Sequence, residues 1–249
     1  MPPPKPSLEG AFADAQAKRA YNRRLFATIA PRYDFITRFL SFGQDRRWKT
    51  RLLELSEVGA RAQVLDLACG TGDLAWSAVD RGAFVVGLDI TPGMLVLARA
   101  KGSTKASASS HAATWLVGDM TKLPVASATF DLVTTGYGLR NVPDLPAALA
   151  EIHRVLKPGG RVCSLDFDKP EAAWLRSVYL SYLTVVGSSL GLALHGDPDT
   201  YRYIPASIRR YPGARGVMRM MTDSGFTDVK HVPVFGGLMA IHVGVRSSP

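Results

Sequence analysis

Residues 64–75 read VLDLACGTGDLA: an apolar run of β-formers, two glycines one residue apart, then the start of a helical pattern. A strand that turns at once into a helix needs backbone conformations that most side chains disfavour, and Gly70 and Gly72 supply them. The same glycines let a ligand come close to the main chain. The spacing Gly70-x-Gly72-x-x-Ala75 also satisfies the dinucleotide fingerprint, so this turn alone does not name its ligand.

Around the turn, short β-rich runs (64–68, 84–89, 114–117, 130–135 and 161–167) alternate with helical stretches at 72–81, 92–101 and 144–156. That rhythm predicts βαβ crossovers and a doubly wound α/β fold, with a parallel sheet buried on both faces. Two further runs, 226–234 and 238–245, are joined by Phe235-Gly236-Gly237, a connection short enough for a hairpin, which brings the sheet to seven strands.

The flanking segments follow other patterns. Residues 1–13 are Pro-rich and expected to be disordered. From Asp14, apolar residues recur at helical spacing (Tyr21, Leu25, Phe26, Ile29) until Pro31, and helices are expected near 35–40 and 46–55, so that 14–58 form a helical cap. Residues 59–249 then form the ligand-binding domain, interrupted by a substrate-cap insertion at 171–212. Within it, 171–195 predict a long apolar helix and 196–203 a polar, Tyr-rich loop; a helix is expected near 216–223. Residues 102–113 (GSTKASASSHAA) read as a flexible surface loop.

The net charge of +9 is concentrated at the N-terminus, where residues 1–51 hold eleven Lys/Arg against Glu9, Asp14, Asp34 and Asp45. Such a patch suits anionic lipid headgroups or nucleic acid, or is a plain solvated face. Cys69 and Cys163 are too few for a disulfide framework, and neither has neighbours at metal-ligand spacing, so no metal is expected. The N-terminus lacks the apolar stretch of a signal peptide, and no run approaches ~18 uninterrupted apolar residues, so a cytoplasmic setting without a transmembrane helix is expected.

Acidic residues mark the strand ends. Asp89 closes the second strand, where it can accept ribose hydroxyls, and Gly118-Asp119-Met120 follow the third, near an adenine edge. Asp66 closes the first strand beside the glycine turn. A carboxylate there would repel a pyrophosphate but suits the sulfonium and ammonium of S-adenosyl-L-methionine, which favours that cofactor over NAD.

Taken in order, DLACGTGDL, GLD, GDM, FDLV and LKPGG resemble the class I methyltransferases, whose Rossmann-like sheet ends in an antiparallel pair. The resemblance implies that Asp66, Gly70, Thr71 and Gly72 line the methionine side. It implies that Asp89 holds the ribose, that Asp119 and Met120 flank the adenine, and that Ile90 and Gly136 complete the cofactor-binding set. Cys69 and Gly136 stand where many members carry Gly and Ser, so Gly136 leaves only backbone for any cofactor contact there. Residues 26–34 (FATIAPRYD), 40–48 (LSFGQDRRW), 136–142 (GYGLRNV) and 197–204 (DPDTYRYI), with Ser207-Ile208, narrow the match. They resemble the menaquinone/ubiquinone biosynthesis C-methyltransferases over roughly residues 20–246. That likeness implies C-methylation of a polyprenylated quinol, demethylmenaquinol or a ubiquinone-pathway benzoquinol, and a homodimer.

Methylation at a ring carbon is easier once a neighbouring hydroxyl has lost its proton, so the site needs a group that tolerates a phenolate and a group that handles the proton. Arg140 and Asn141, just after the fourth strand, are the first candidates for stabilising a phenolate and orienting a hydroxyl. Tyr201 and Asp199, with Tyr33 and Tyr203, are candidates for proton handling. The apolar stretch of 171–195 suits an isoprenoid tail, or an ordinary core or dimer helix. With the basic N-terminal segment it suggests peripheral contact with an anionic membrane. Other readings are a methyltransferase of a soluble metabolite, a nucleic-acid methyltransferase and a non-catalytic scaffold. No nucleic-acid partner is expected: the fourth strand ends in TTGYGLRN, not in the Asp/Asn-Pro-Pro-aromatic sequence of amino-group methylators or a Pro-Cys nucleophile.

Overall fold

The computed structural model describes residues 8–103, 113–170 and 172–248. The expected flexible loop falls on residues 104–112, outside the described residues; Gly102 and Ala113 themselves belong to a helix and a strand.

Three helices precede the sheet: α1 (Ala15–Ile29), α2 (Tyr33–Leu40) and α3 (Asp45–Ser56). Asp14 caps α1 by accepting from the Ala17 amide at 2.8 Å, and Pro31 stops it, as its missing N–H dictates. The alternation follows: β1 (Gln63–Leu67), α4 (Asp73–Val79), β2 (Phe84–Asp89), α5 (Pro92–Ser103), β3 (Ala113–Val117), β4 (Phe130–Gly136), α6 (Leu145–Val155) and β5 (Leu156–Phe167). Then come α7 (Ala173–His195), α8 (Asp199–Arg210), α9 (Ala214–Asp223), β6 (Phe226–Val234) and β7 (Met239–Arg246).

The sheet has seven strands in the order β3-β2-β1-β4-β5-β7-β6. β1 to β5 pair in parallel, while β7 runs antiparallel to both β5 and β6. Side chains alternate across it: Val64 packs with Leu52 and Leu53 of α3 and Ala75 of α4, whereas Leu65 and Leu67 pack with Leu149 and Ile152 of α6 and Val217 of α9. The order reverses between β1 and β4, which opens a crevice at the carboxyl ends of these strands. A third core closes that end, formed by Tyr21, Leu25 and Ile29 of α1, Ile36 of α2, and Tyr201 and Tyr203 of α8.

Three expectations are corrected. Disorder over residues 1–13 does not hold where the chain is described. Gly10–Phe12 form a 3-10 turn with Ala11 buried, and the Phe12 ring stacks on Tyr203 at 5.7 Å; residues 1–7 lie outside the described chain. β5 begins at Leu156, not 161, because a bulge in its pairing with β4 sets Phe130 against Leu156 and Leu132 against Arg161, absorbing the Pro-Gly-Gly. The Tyr-rich loop is the start of α8. Tyr201 and Tyr203 are only 1% and 2% exposed, and burying both rings outweighs the polar local sequence. By length and composition alone α7 is apolar enough to cross a membrane, because scattered Ser, Thr and Gly interrupt its runs without making it polar. Here it instead packs lengthwise on α8, with Gly187 and Gly191 letting the two backbones approach.

Candidate active site

Three clefts with shared walls occupy the crevice under the helical cap. The first, about 700 Å³, is lined by Gly70, Asp89, Ile90, Asp119, Met120 and Gly136 from the sheet side and by Arg19, Asn22, Phe26 and Tyr33 from the cap. The second, about 820 Å³, is predominantly apolar and holds Arg140, Tyr179, Leu183, Tyr201 and Tyr203. The third, about 310 Å³, contains Lys49, Asp66, Thr71 and Asp73. Tyr33 and Tyr137 border all three, while Phe26 and Asn141 border the first two, so these side chains stand where the clefts meet.

The glycine turn and Asp89 build one another. Gly70, with φ of +54°, donates its amide to Asp89 Oδ2 at 2.9 Å, and the Thr91 amide donates to Oδ1 at 2.8 Å. The carboxylate is thereby fixed in orientation while each oxygen keeps a free lone pair. Burial still pushes its pKa up. Asp119 accepts from the Thr121 amide and hydroxyl on one oxygen and from Arg19 Nε at 2.5 Å on the other. Burial pushes this carboxyl up, but those donors outweigh it and hold it low.

Asp66 is the exceptional group. It is 1% exposed; Thr134 donates to Oδ1 at 2.8 Å, and Oδ2 has no hydrogen-bond partner among the described residues. Burial pushes its carboxyl up to about 7 against the Thr134 hydrogen bond. Leaving a buried acceptor unmet costs about 1–3 kcal/mol, so the residue is poised for a ligand that brings a donor or a positive charge. Its surroundings agree. Lys49 bridges Asp45 at 2.7 Å and Asp73 at 2.9 Å, and Lys101 bridges Asp73 at 2.6 Å and Asp34 at 2.7 Å. With Asp66, four carboxylates face two ammonium groups, which favours a cation. Thr71 donates to Asp34 at 2.5 Å, tying the glycine turn to α2. The clefts therefore fit S-adenosyl-L-methionine in charge and in the unmet acceptor.

Arg140 sits on the 3-10 turn Leu139–Asn141, buried at 6% exposure. Asp166, at the end of β5, accepts from its amide at 3.0 Å and its Nε at 3.3 Å; Nη1 donates to Ser207 at 2.6 Å, and the guanidinium lies 4.7 Å from the Phe167 ring centre. The side chain is thus held from three sides. The cap fixes the turn itself. Lys18 donates to the carbonyls of Arg140 at 3.1 Å and Val142 at 2.6 Å, and Asn22 donates to that of Asn141 at 2.6 Å. Asn141 Nδ2 donates to the Tyr137 carbonyl at 2.7 Å, and its Oδ1 is a second buried acceptor without a partner. Tyr137, in a left-handed conformation at φ +61°, donates its hydroxyl to Asp45 at 2.5 Å.

Two expected site residues stand elsewhere. Asp199 pairs with Arg202 at 3.0 Å on the outer surface of α8 and lines none of the three clefts, because the helical turn that buries Tyr201 and Tyr203 directs it outward. Gly72 also lines none of them. A Cβ there would sit 2.9 Å from the Trp115 ring and 3.1 Å from Ala98, so this glycine, at φ +82°, serves close helix–strand packing. Burial pushes the Tyr33, Tyr201 and Tyr203 hydroxyls up to about 12, and Tyr201 shares a hydrogen bond of 2.9 Å with His195. The sequence reading missed Asp166, Arg19, Asn22, Lys49 and Tyr137. Asp166 alone carried a legible signal, as an acid at a strand end like Asp66 and Asp89.

Among known families, the model described as the ubiE/COQ5 methyltransferase family matches residues 14–246. A demethylmenaquinone methyltransferase from Thermus thermophilus is 42% identical over 89% of this chain and 100% of its own length. A ubiquinone/menaquinone biosynthesis C-methyltransferase UbiE from Rubrivivax gelatinosus is 37% identical over 94% of this chain and 90% of its own. Among solved structures, phosphoethanolamine N-methyltransferase 2 of Haemonchus contortus, in complex with S-adenosyl-L-methionine, aligns with a TM-score of 0.61 at 15% identity, covering 97% of this chain and 60% of that one. A chain from the Haloferax volcanii complex of the Trm112 methyltransferase activator with a methyltransferase gives 0.62 at 20% identity, covering 90% and 98%. At such identities the likeness is one of fold.

Proposed function

This chain belongs to the ubiE/COQ5 methyltransferase family, and from that premise we propose that it C-methylates a polyprenylated quinol, converting demethylmenaquinol to menaquinol. The observation that carries this reading is the meeting of two unlike clefts at Asn141, Tyr137, Tyr33 and Phe26. The first presents the carboxylates of Asp89 and Asp119 and suits a nucleoside cofactor; the second presents one fixed guanidinium, that of Arg140, among aromatic and aliphatic side chains. The insertion (171–212) and the helical cap (14–58) wall the quinol cleft, and the sheet's carboxyl edge and the same cap wall the cofactor cleft.

S-adenosyl-L-methionine, when bound, supplies a methyl group on a sulfonium to a ring carbon made nucleophilic by loss of a neighbouring hydroxyl proton. Asp66 would face the cationic end with Gly70 and Thr71 beside it, Asp89 would hold the ribose with Ile90 next to it, Asp119 and Met120 would flank the adenine, and Gly136 would offer backbone. Arg140 stabilises the quinol's phenolate form. Asp166 and Ser207 hold the guanidinium still, so little reorganisation is needed when charge develops. Asn141 orients the hydroxyl through its unpartnered Oδ1. Tyr201 and Tyr203, whose hydroxyls stay protonated at neutral pH, wall the cleft and keep water out. Because the substrate partitions into lipid, the enzyme works at the cytoplasmic face of an anionic membrane, in peripheral contact with it.

The test is transfer of labelled methyl from S-adenosyl-L-methionine to chemically reduced, short-tailed demethylmenaquinol, with the oxidised quinone as control. Labelled product from the quinol alone is expected. Product from a benzoquinol but not from the naphthoquinol would replace the assigned acceptor.

A further inference from the structure

Helices α2 and α7 each have two working faces. Ile36 and Leu40 of α2, and Tyr179 and Leu183 of α7, line the apolar cleft. The opposite face of α7 carries Trp174, Val178, Val185 and Leu192, exposed at 71%, 60%, 66% and 62%. Their spacings of four, seven and seven residues place all four on one line along the helix. Phe35, Phe39 and Phe42 give the α2 side the same character, and the Phe42 ring stacks on Tyr182 of α7 at 5.8 Å, joining the two stripes. Solvated apolar surface of this extent marks an interaction site.

We infer that this joined face of α2 and α7 is the docking surface for an anionic lipid bilayer, and that the quinol enters the cleft between the same two helices from the lipid side. The inference rests on the quinol reading above. Charge selects the occupant. Arg38, Arg46 and Arg47 stand exposed around Phe39 and Phe42 with no carboxylate partner among the described residues, while Asp34 is engaged by Lys101 and Asp45 by Lys49. Aromatic side chains interleaved with arginines suit the boundary between headgroups and acyl chains. The helix lies in that boundary and does not cross it. Its other face is committed to α8 and the cleft, and crossing would take Arg202, Arg209 and Arg210 of α8 into hydrocarbon.

The experiment compares the full-length protein with a Phe35→Ser/Phe39→Ser/Trp174→Ser variant and an Arg38→Gln/Arg46→Gln/Arg47→Gln variant. None of these residues lines a cleft. Flotation uses phosphatidylcholine vesicles with and without phosphatidylglycerol, and turnover is measured on long-tailed quinol in those vesicles and on short-tailed quinol in buffer. The wild type is expected to float with the anionic vesicles. Both variants are expected to stay behind and to lose about tenfold or more of vesicle turnover while keeping turnover in buffer. Variants that float like the wild type would overturn the assignment. So would a wild-type dimer that the apolar variant dissociates without loss of flotation, since a second copy would then cover the stripe. If the wild type turns over neither quinol, the quinol reading fails, and flotation alone decides the docking surface.

Discussion

Asp66 and Arg140 illustrate how a single side chain takes its chemistry from its surroundings. With a free-state pKa of about 7, Asp66 gains charge across the neutral range. A cationic ligand binds the ionised form better, so its affinity rises with pH up to about 7 and levels off above; below that, it falls by up to about tenfold per pH unit. Asp66→Asn is expected to flatten this profile and to weaken S-adenosyl-L-methionine by roughly 10- to 100-fold in calorimetry. An unchanged profile in the variant would show that another group faces the cation. Arg140 is different, because its removal strands Asp166 in the interior. Arg140→Met is expected to destabilise the fold by roughly 3–5 kcal/mol, so its lost activity reports on folding as well as chemistry. Asn141→Ala leaves no stranded charge. It is expected to cut kcat by about 10- to 100-fold with cofactor affinity nearly unchanged, a split that binding titrations and steady-state kinetics resolve.

Among the elements, the α7–α8 pair is held close by what α7 lacks. A Cβ at Gly191 would lie 2.5 Å from the Asp197 carbonyl oxygen and 3.1 Å from Pro198 Cα, both backbone atoms that have little room to yield. Gly191→Ala is expected to cost about 1–3 kcal/mol in chemical denaturation. It should raise KM for the quinol and leave cofactor binding alone, since α7 and α8 wall only the apolar cleft. On β7, His242 is fully buried, with Nε2 3.2 Å from the Ala214 carbonyl oxygen. Burial pushes its pKa down to about 4 from about 6.5. Between those values the unfolded chain binds a proton that the folded one does not, so this contribution to stability is intact above about pH 6.5 and lost as pH falls toward 4. The loss amounts to roughly 3 kcal/mol, and His242→Gln is expected to remove this part of the acid sensitivity.

At the scale of the whole molecule, the cap and the sheet share the cofactor cleft, so a ligand there stabilises both. At a hundredfold excess over Kd, S-adenosylhomocysteine is expected to add about 2.7 kcal/mol and raise Tm by roughly 5–10 °C, read by calorimetry. A shift confined to one of two separate transitions would show that the cap melts independently. The parts of this molecule that were legible in the sequence are those encoded over a few neighbouring residues. Strand runs, the Gly70 turn, the acids at strand ends and the arginine-rich N-terminal segment all declare themselves through period, spacing or local charge. Arg19 meets Asp119, and Lys18 and Asn22 reach the turn at 140–142, across a hundred residues or more, and no local pattern records such pairings. The same holds for the conversion of a polar Tyr-rich stretch into α8, for the outward turn of Asp199 and for the anchoring of Phe12 on Tyr203. Local sequence determined which segments form strands, turns and helices, because backbone sterics and side-chain period act between near neighbours. Tertiary structure decided which side chains face one another in the clefts, because burial and hydrogen-bond satisfaction depend on what the rest of the chain brings alongside.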